Sequence, residues 1–438
     1  MIELLAWAIL GAVVASILAL IPALHVYNVA GLVLLLASTG TLPLNPESMV
    51  YLFLGMITGY AMVNTIPSIF LSAPDESMLF VVLPGQAYLL QRRGYEAVVL
   101  TSLGGLGGLA ILTGLTPVAA RILPVIREIL SPHLPWILWT IIAFMLMSEW
   151  PKGTERAPAG WARWWDGWWS LLAGLGTFLL SGLLGLVLIY RSPLPVNRAY
   201  QNLLPAFVGL FAIPWVLTNL MARIELPRQH IARTVDVPWL SLVQGTMAGT
   251  VGGLFAAFFP VVTGGIGGFL AGHATAQRDD RTFLIAQGAS KTVYYVAGFL
   301  FFFVPGLHIT RGGMAWMSST RYSAYAPEQY IQATAAALLT GVLAFWLSLG
   351  FARSMAILVS RISYRWISWG TLAVLLLLVL GLTGPVGLGI CAVASGIGLL
   401  PTLWGSRRMN AMGVLLLPIA LNMSGVGDRV AGLLALLD

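Results

Sequence analysis

Residues 60–96 read YAMVNTIPSIFLSAPDESMLFVVLPGQAYLLQRRGYE, from Tyr60 to Glu96. The stretch begins as an apolar helix and stops being one at Ser72-Ala73-Pro74-Asp75-Glu76-Ser77. Proline removes a backbone donor and clashes with the preceding turn, and two acids then stand side by side. Apolar residues resume as far as Pro84-Gly85. In a chain of ordinary polarity this would be a surface loop. Here 58% of the residues are hydrophobic and 9% charged, where soluble chains run at about a quarter charged. The stretch therefore reads as a helix broken at membrane depth, followed by a short hairpin. Such breaks persist in a bilayer only where protein buries them or where they line a polar cavity. Transporters place substrate sites at them.

Outward from this stretch, windows of about 20 apolar residues recur, each long enough to span. No long polar block interrupts them, which excludes a single span carrying a soluble domain. A β-barrel is excluded because its strands would alternate polar and apolar residues. The net charge of +7 is almost wholly arginine, with Lys152 and Lys291 the only lysines. That pattern fits positive-inside topology and contact with membrane lipid, and no basic face is left free for nucleic acid. The one cysteine, Cys391, rules out a disulfide framework. The opening MIELLAWAILGAVVASILALIPAL has no basic n-region, so a retained first helix is expected rather than a removed signal. Five tryptophans between Trp161 and Trp169 predict an interfacial belt. The Gly-rich helix from Tyr95 to Leu115 predicts close packing at the centre of the bundle.

The two halves of the chain echo each other. Pro22 pairs with Pro260 and Pro74 with Pro305, at near-equal offsets. Each first proline ends a long helix and opens a short one. Each second proline ends an aromatic-rich helix, YAMVNTIPSIFLSAP against KTVYYVAGFLFFFVP. The expected fold is an all-α polytopic membrane protein of two homologous, inverted repeats with proline-broken and re-entrant helices. Residues 1–221 would form the first repeat, 222–238 the inter-repeat loop and 239–438 the second repeat. Duplicated, interrupted segments of this kind point to a transport site near the midplane.

Three residues after each break stands a polar side chain: His25, Ser77, Thr263 and His308. Together with freed helix ends, which favour anions at their N-termini, they would surround one cavity. Prolines that merely kink helices would leave the same sequence trace. Lys291 is the sharpest single residue, because its helix is otherwise uncharged, and an intramembrane lysine faces a cavity, a partner or the interface. It would serve as countercharge for an anionic substrate or pair with Asp75 or Glu76. Those two acids are the candidate coupling groups for a cation or proton. Asn64 and Tyr295 occupy matching repeat positions. Ser72, Gly264, Ser290 and Arg311 complete the candidate substrate-binding set. Enzyme signatures are missing: the five histidines form no metal-ligand spacing with one another or with the cysteine, GGLGG at 104–108 sits inside an apolar helix, and no Walker-type loop is present. No cofactor is expected.

Four segments carry a resemblance: IPSIFLSAPDESMLFVVLPGQAYLLQRRGYEAV (66–98), LLPAFVGLFAIPWVL (203–217), QGTMAGTVGGLFAAFFP (244–260) and SRRMNAMGVLLLP (406–418). In these, and along nearly its whole length, the chain resembles the large membrane subunit of tripartite tricarboxylate transporters, the TctA family, in its short form. The resemblance implies two homologous halves, secondary uptake of carboxylates through the cell membrane, and work with a small membrane subunit and an extracytoplasmic binding protein. A homodimer is also open. The chain departs from the family pattern at its breaks. Asn28 persists in IPALHVYN while the glycines expected there are lost. Pro84-Gly85 lacks the expected carboxylate, and Tyr294 and Tyr295 stand where paired asparagines are expected. A bulkier, more aromatic site would also suit a larger amphipathic anion, which keeps translocation of a polyprenyl phosphate as the alternative to carboxylate transport.

Overall fold

A computed structural model of the chain describes residues 2–149, 160–195, 201–222, 226–275, 279–307, 309–310, 312–324 and 326–437. Among the described residues it is all helix, without a strand. The first α-helices are α1 (Ile2–Leu18), α2 (Val26–Ser38), α3 (Pro46–Val63), α4 (Thr65–Phe70), α5 (Val82–Leu90) and α6 (Gly94–Gly114). Next come α7 (Thr116–Leu130), α8 (Leu134–Met147), α9 (Trp161–Tyr190), α10 (Leu204–Phe207), α11 (Ile213–Ala222) and α12 (Trp239–Phe258). The chain closes with α13 (Gly264–Ala274), α14 (Asp280–Leu300), α15 (Gly313–Ser319), α16 (Pro327–Arg361), α17 (Tyr364–Trp404), α18 (Gly413–Met423) and α19 (Gly427–Leu433). Eight helical segments among the described residues are long and apolar enough to cross a membrane, or up to nine if a sharply bent pair at Arg408–Met423 and Gly427–Leu433 counts as one span. The apolar helices α1 and α2 are shorter. Prolines 117, 124 and 135 do not cut the segment Thr116–Met147 into separate pieces. Pro117 and Pro135 lie in first helical turns, where a missing N–H goes unused.

The chain packs as two compact units. One holds Met1–Glu128 and Asn219–Thr371, the other Ile129–Thr218 and Leu372–Asp438. Each unit draws on both halves of the sequence, on either side of the loop at 222–238.

In the first unit the proline pairs produce the same local geometry twice. Past Pro22, Ala23 takes a left-handed φ of 57°, and past Pro260, Val261 takes 63°. Two residues further on, His25 and Thr263 each cap the next helix: His25 accepts from the Tyr27 N–H and Thr263 from the Ile266 N–H. A β-branched residue such as Val261 pays for that conformation with about 1–3 kcal/mol of strain, which surrounding structure must hold in place. The break at Pro74 has its own left-handed residue, Ser72, with φ 53°.

Every residue from Ser48 to Pro74 is buried, so α3 and α4 form the core of this unit. Around them α14 packs against α3, α6, α12 and α13. The approach of α14 to α6 is close: a Cβ on Gly288 would lie 1.9 Å from the Thr101 carbonyl oxygen. Small residues at such contacts are how helices associate where lipid offers no hydrophobic drive.

In the second unit α9 packs against α18 and against a 3₁₀ turn at Arg408–Met412, and α8 packs against both α9 and α18. The expected tryptophan belt forms the first turns of α9, where Trp161, Trp164, Trp165 and Trp169 are exposed.

Gly288→Ala is expected to destabilise the protein by about 1–3 kcal/mol, the usual cost of overpacking. A Cβ on Gly298 of the same helix meets nothing within 4 Å, so Gly298→Ala should leave thermal unfolding in detergent unchanged or raise it. Equal melting of Gly288→Ala and wild type would refute the close α6–α14 approach.

Candidate functional site

The site lies wholly within the first unit and grows from the end of α3. Asn64 terminates that helix, its backbone N–H bonding to the Tyr60 carbonyl. Its side-chain amide faces two ways. The Lys291 ammonium donates to Asn64 Oδ1 at 2.6 Å, and Asn64 Nδ2 donates to Asp75 Oδ2 at 2.7 Å. Lys291 also donates to the Thr65 hydroxyl. The lysine is 1% exposed, and among the described residues no carboxylate lies within 4.0 Å of its nitrogen. The direct lysine–acid pair that the sequence made an option is thus not formed: a neutral amide stands between the charges.

Asp75 is held by donors on both oxygens. Tyr60 donates to Oδ2 at 2.7 Å, Tyr295 donates to Oδ2 at 3.3 Å, and the Ser77 N–H donates to Oδ1 at 3.0 Å. The Ser77 and Tyr295 hydroxyls share a hydrogen bond of 2.6 Å. Glu76 turns the other way, its Oε1 3.4 Å from His25 Nε2. Because His25 Nδ1 accepts from the Tyr27 N–H, the imidazole proton sits on Nε2, facing Glu76 and, at 3.1 Å, the Tyr295 oxygen. Thr263 ties the second half to the same place by donating to the Glu76 carbonyl at 3.3 Å. His25, Asp75 and Glu76 each bring one ligand atom within 4.8 Å of the others, a spacing that a bound cation can bridge. The rings of His25 and Tyr60 lie 5.0 Å apart and those of Tyr60 and Tyr295 5.7 Å apart, the latter edge to face.

Of the residues expected from the sequence, His25, Asn64, Asp75, Glu76, Ser77, Thr263, Lys291 and Tyr295 come together here. Gly264 serves the backbone, since a Cβ on it would lie 2.8 Å from the Lys291 Cα. Ser290 donates to the Gly264 carbonyl at 2.7 Å and so pins α13 to α14. The Asn28 amide nitrogen is buried without a partner among the described residues. Ser72 bonds instead with Tyr364 and Gln86, at 3.2 and 2.6 Å, and joins no residue of the cluster by hydrogen bond. His308 and Arg311 lie outside the described residues.

Two contributors escaped the sequence reading. Tyr60 lies one helical turn before Asn64, and its signal was the shared helix face; Thr65 is the next residue, at the first position of α4. Gln287 lies one turn before Lys291 on α14, fully buried, with both side-chain polar atoms unpartnered among the described residues. A crevice lined by Tyr60, Asn64, Asp75, Ala23 and Pro67 reaches the cluster but has an accessible volume of only about 10 Å³, room for one water.

Spans of membrane length, interrupted around a buried group of ionisable side chains, make this a multi-pass membrane protein. The model of the tripartite tricarboxylate transporter TctA family matches residues 5–413, and the chain belongs to that family of transporter components. It is 25% identical over 287 residues to the uncharacterized protein MJ1079 of Methanocaldococcus jannaschii, a match that covers 65% of this chain and 65% of that protein's length. No solved structure matches it.

Asn64→Leu removes the amide from between Lys291 and Asp75 and should cost about 3–5 kcal/mol, as for a buried charge pair that loses one partner. Tyr60→Phe takes away one of several donors to Asp75 and should cost about 1–2 kcal/mol. Thermal unfolding in detergent ranks the two. A smaller loss for Asn64→Leu than for Tyr60→Phe would show that the amide is not the central link.

Proposed function

We propose that the protein is a secondary transporter of an organic anion, di- or tricarboxylate-like, bound between the broken helices with Lys291 as countercharge and Asp75 and Glu76 as the coupling groups. The observation that carries this reading is the lysine's set of partners. An ammonium that, among the described residues, is satisfied only by the neutral oxygens of Asn64 and Thr65 keeps its charge available, and leaving it without any partner would cost several kcal/mol. A substrate carboxylate that takes the place of the Asn64 oxygen gains a charge-assisted bond. The freed amide turns toward Asp75, and the added negative charge is offset by a proton or cation taken up at Asp75 and Glu76.

The small crevice describes a closed state. Opening then requires the segments at Pro22 and Pro260 to move, and both already hold left-handed residues at their hinges. A closed site favours a small carboxylate over a lipid-linked phosphate, which would need a gap between helices toward the bilayer. In the same reading the two halves are inverted repeats that place the site near the midplane. The small membrane subunit and extracytoplasmic binding protein of tripartite systems are the expected partners.

Lys291→Met should abolish anion binding to the purified protein, and Lys291→Arg should keep a fraction of it. Calorimetric titration with citrate and succinate, on variants checked for wild-type melting, is the test. Undiminished binding by Lys291→Met would make the lysine a structural anchor and end this mechanism. For the inversion, single cysteines near positions 76 and 310 should react with impermeant reagents from opposite faces of the membrane, and reaction from one face refutes it.

A further inference from the structure

The second unit contains a charged group that the transport site does not use. Two of the segments that mark the family, LLPAFVGLFAIPWVL and SRRMNAMGVLLLP, meet there. The Arg408 guanidinium lies over the indole of Trp215, its Cζ 3.5 Å from the ring centroid. Cation–π contact of this kind fixes a guanidinium plane but leaves its N–H donors unsatisfied. Among the described residues Arg408 makes no hydrogen bond and has no carboxylate within 4.0 Å. Its Nη1 is buried without a partner, and so are the Trp215 Nε1 and the Ser406 Oγ. The nearby acid is already engaged: Glu149 accepts from the Arg407 N–H at 2.6 Å and from Asn410 Nδ2 at 2.9 Å. Three donor groups, on Arg408, its stacking partner Trp215 and its near neighbour Ser406, thus have no acceptor assigned to any of them. Asn410 Oδ1, on the same turn, is a buried acceptor likewise without a partner among the described residues, but one carboxamide oxygen has too few lone pairs for three donor groups, and bidentate donation from arginine fits an oxyanion.

The surroundings say where that oxyanion comes from. The turn that carries Arg408 packs on α9. Ser170 of α9 sits 3.4 Å from Glu149 Oε2, directly after the tryptophan belt. Trp169 meets Trp404, four residues before Arg408, with ring centroids 6.4 Å apart. Exposed tryptophans gather at the level of lipid headgroups, and basic groups at that level recognise anionic lipid phosphates.

We propose that Arg408, held flat on Trp215, binds the phosphate of an anionic phospholipid headgroup at the edge of the second unit. The site is separate from Lys291 and independent of the transported substrate. Native mass spectrometry of the full chain in detergent, titrated with phosphatidylglycerol, should show a retained lipid adduct on wild type. Arg408→Gln should weaken that adduct by at least tenfold, and Arg408→Lys, which keeps the charge but loses the paired donors, by a few-fold. Arg353→Gln, at an exposed arginine of the first unit, should change nothing. Melting in lipid-free detergent keeps the comparison readable: Arg408→Lys at wild-type stability with weakened lipid binding supports the site even if Arg408→Gln fails to fold. Wild-type-like adducts on both Arg408 variants overturn the proposal. Inorganic phosphate that protects wild type, but not Arg408→Lys, without displacing or requiring lipid would move the same donors to a soluble oxyanion and overturn the lipid assignment.

Discussion

One carboxamide separates a buried ammonium from a half-buried carboxylate, and the first unit is arranged to allow it. An amide is the neutral side chain that offers an acceptor to one charge and a donor to the other at once. For Asn64 to do this, α3 must end where it does, α14 must present Lys291 to its carbonyl, and the chain past Pro74 must return Asp75 to its nitrogen. Each of those requirements is met by backbone that would be costly in lipid. It is tolerated because the chain from Ser48 to Pro74 is buried throughout and because the turn at Asp75 has its carboxylate satisfied by Tyr60, Asn64, Tyr295 and the Ser77 N–H. Burial forces the polar groups to find one another, and their pairing in turn permits the burial.

The strained residues belong to the same scheme. Ala23 and Val261 occupy left-handed backbone at equivalent positions, and neither is glycine. Strain of this sort is held by the residues just past the break. His25 and Thr263 each close the next helix N-terminus, and each also reaches the acids, His25 through Glu76 Oε1 and Thr263 through the Glu76 carbonyl. The Glu76 side chain thus meets the first of these caps and the Glu76 backbone the second.

Much of this was legible in the residues. Proline position marks broken helices because proline's missing donor is local chemistry, so Pro22, Pro74 and Pro260 located real breaks. The equal offsets paired Asn64 with Tyr295, and both donate to Asp75. Lys291 stood out because a charge in an apolar helix has few explanations. Hidden from the sequence was which side of each helix faces which neighbour. Ser72 adjoins the break in sequence but turns to Tyr364, while Thr263, far along the chain from the acids, reaches the Glu76 carbonyl. The packing of 129–218 with 372–438 was equally hidden, since segments so far apart in sequence are joined only by complementary surfaces.

The aromatic residues at the breaks shape what the site can accept. A tyrosine hydroxyl can donate one bond and accept others, so Tyr60 and Tyr295 satisfy Asp75 much as amides would, while their rings fill space that amides leave open. The His25, Tyr60 and Tyr295 rings stand between 5.0 and 5.9 Å from one another, and Tyr60 also lines the crevice, which has room for about one water (about 10 Å³). An anion reaching this site must part those rings, whose contacts contribute about 0.5–1.5 kcal/mol per pair. In the proposed role the charge of Lys291 attracts any oxyanion alike, so discrimination falls to the rings: a compact carboxylate whose carbon chain packs against them recovers part of what its arrival removed, and an anion too large for them to enclose does not. Selectivity in such a site is set by the walls rather than by the charge at its centre.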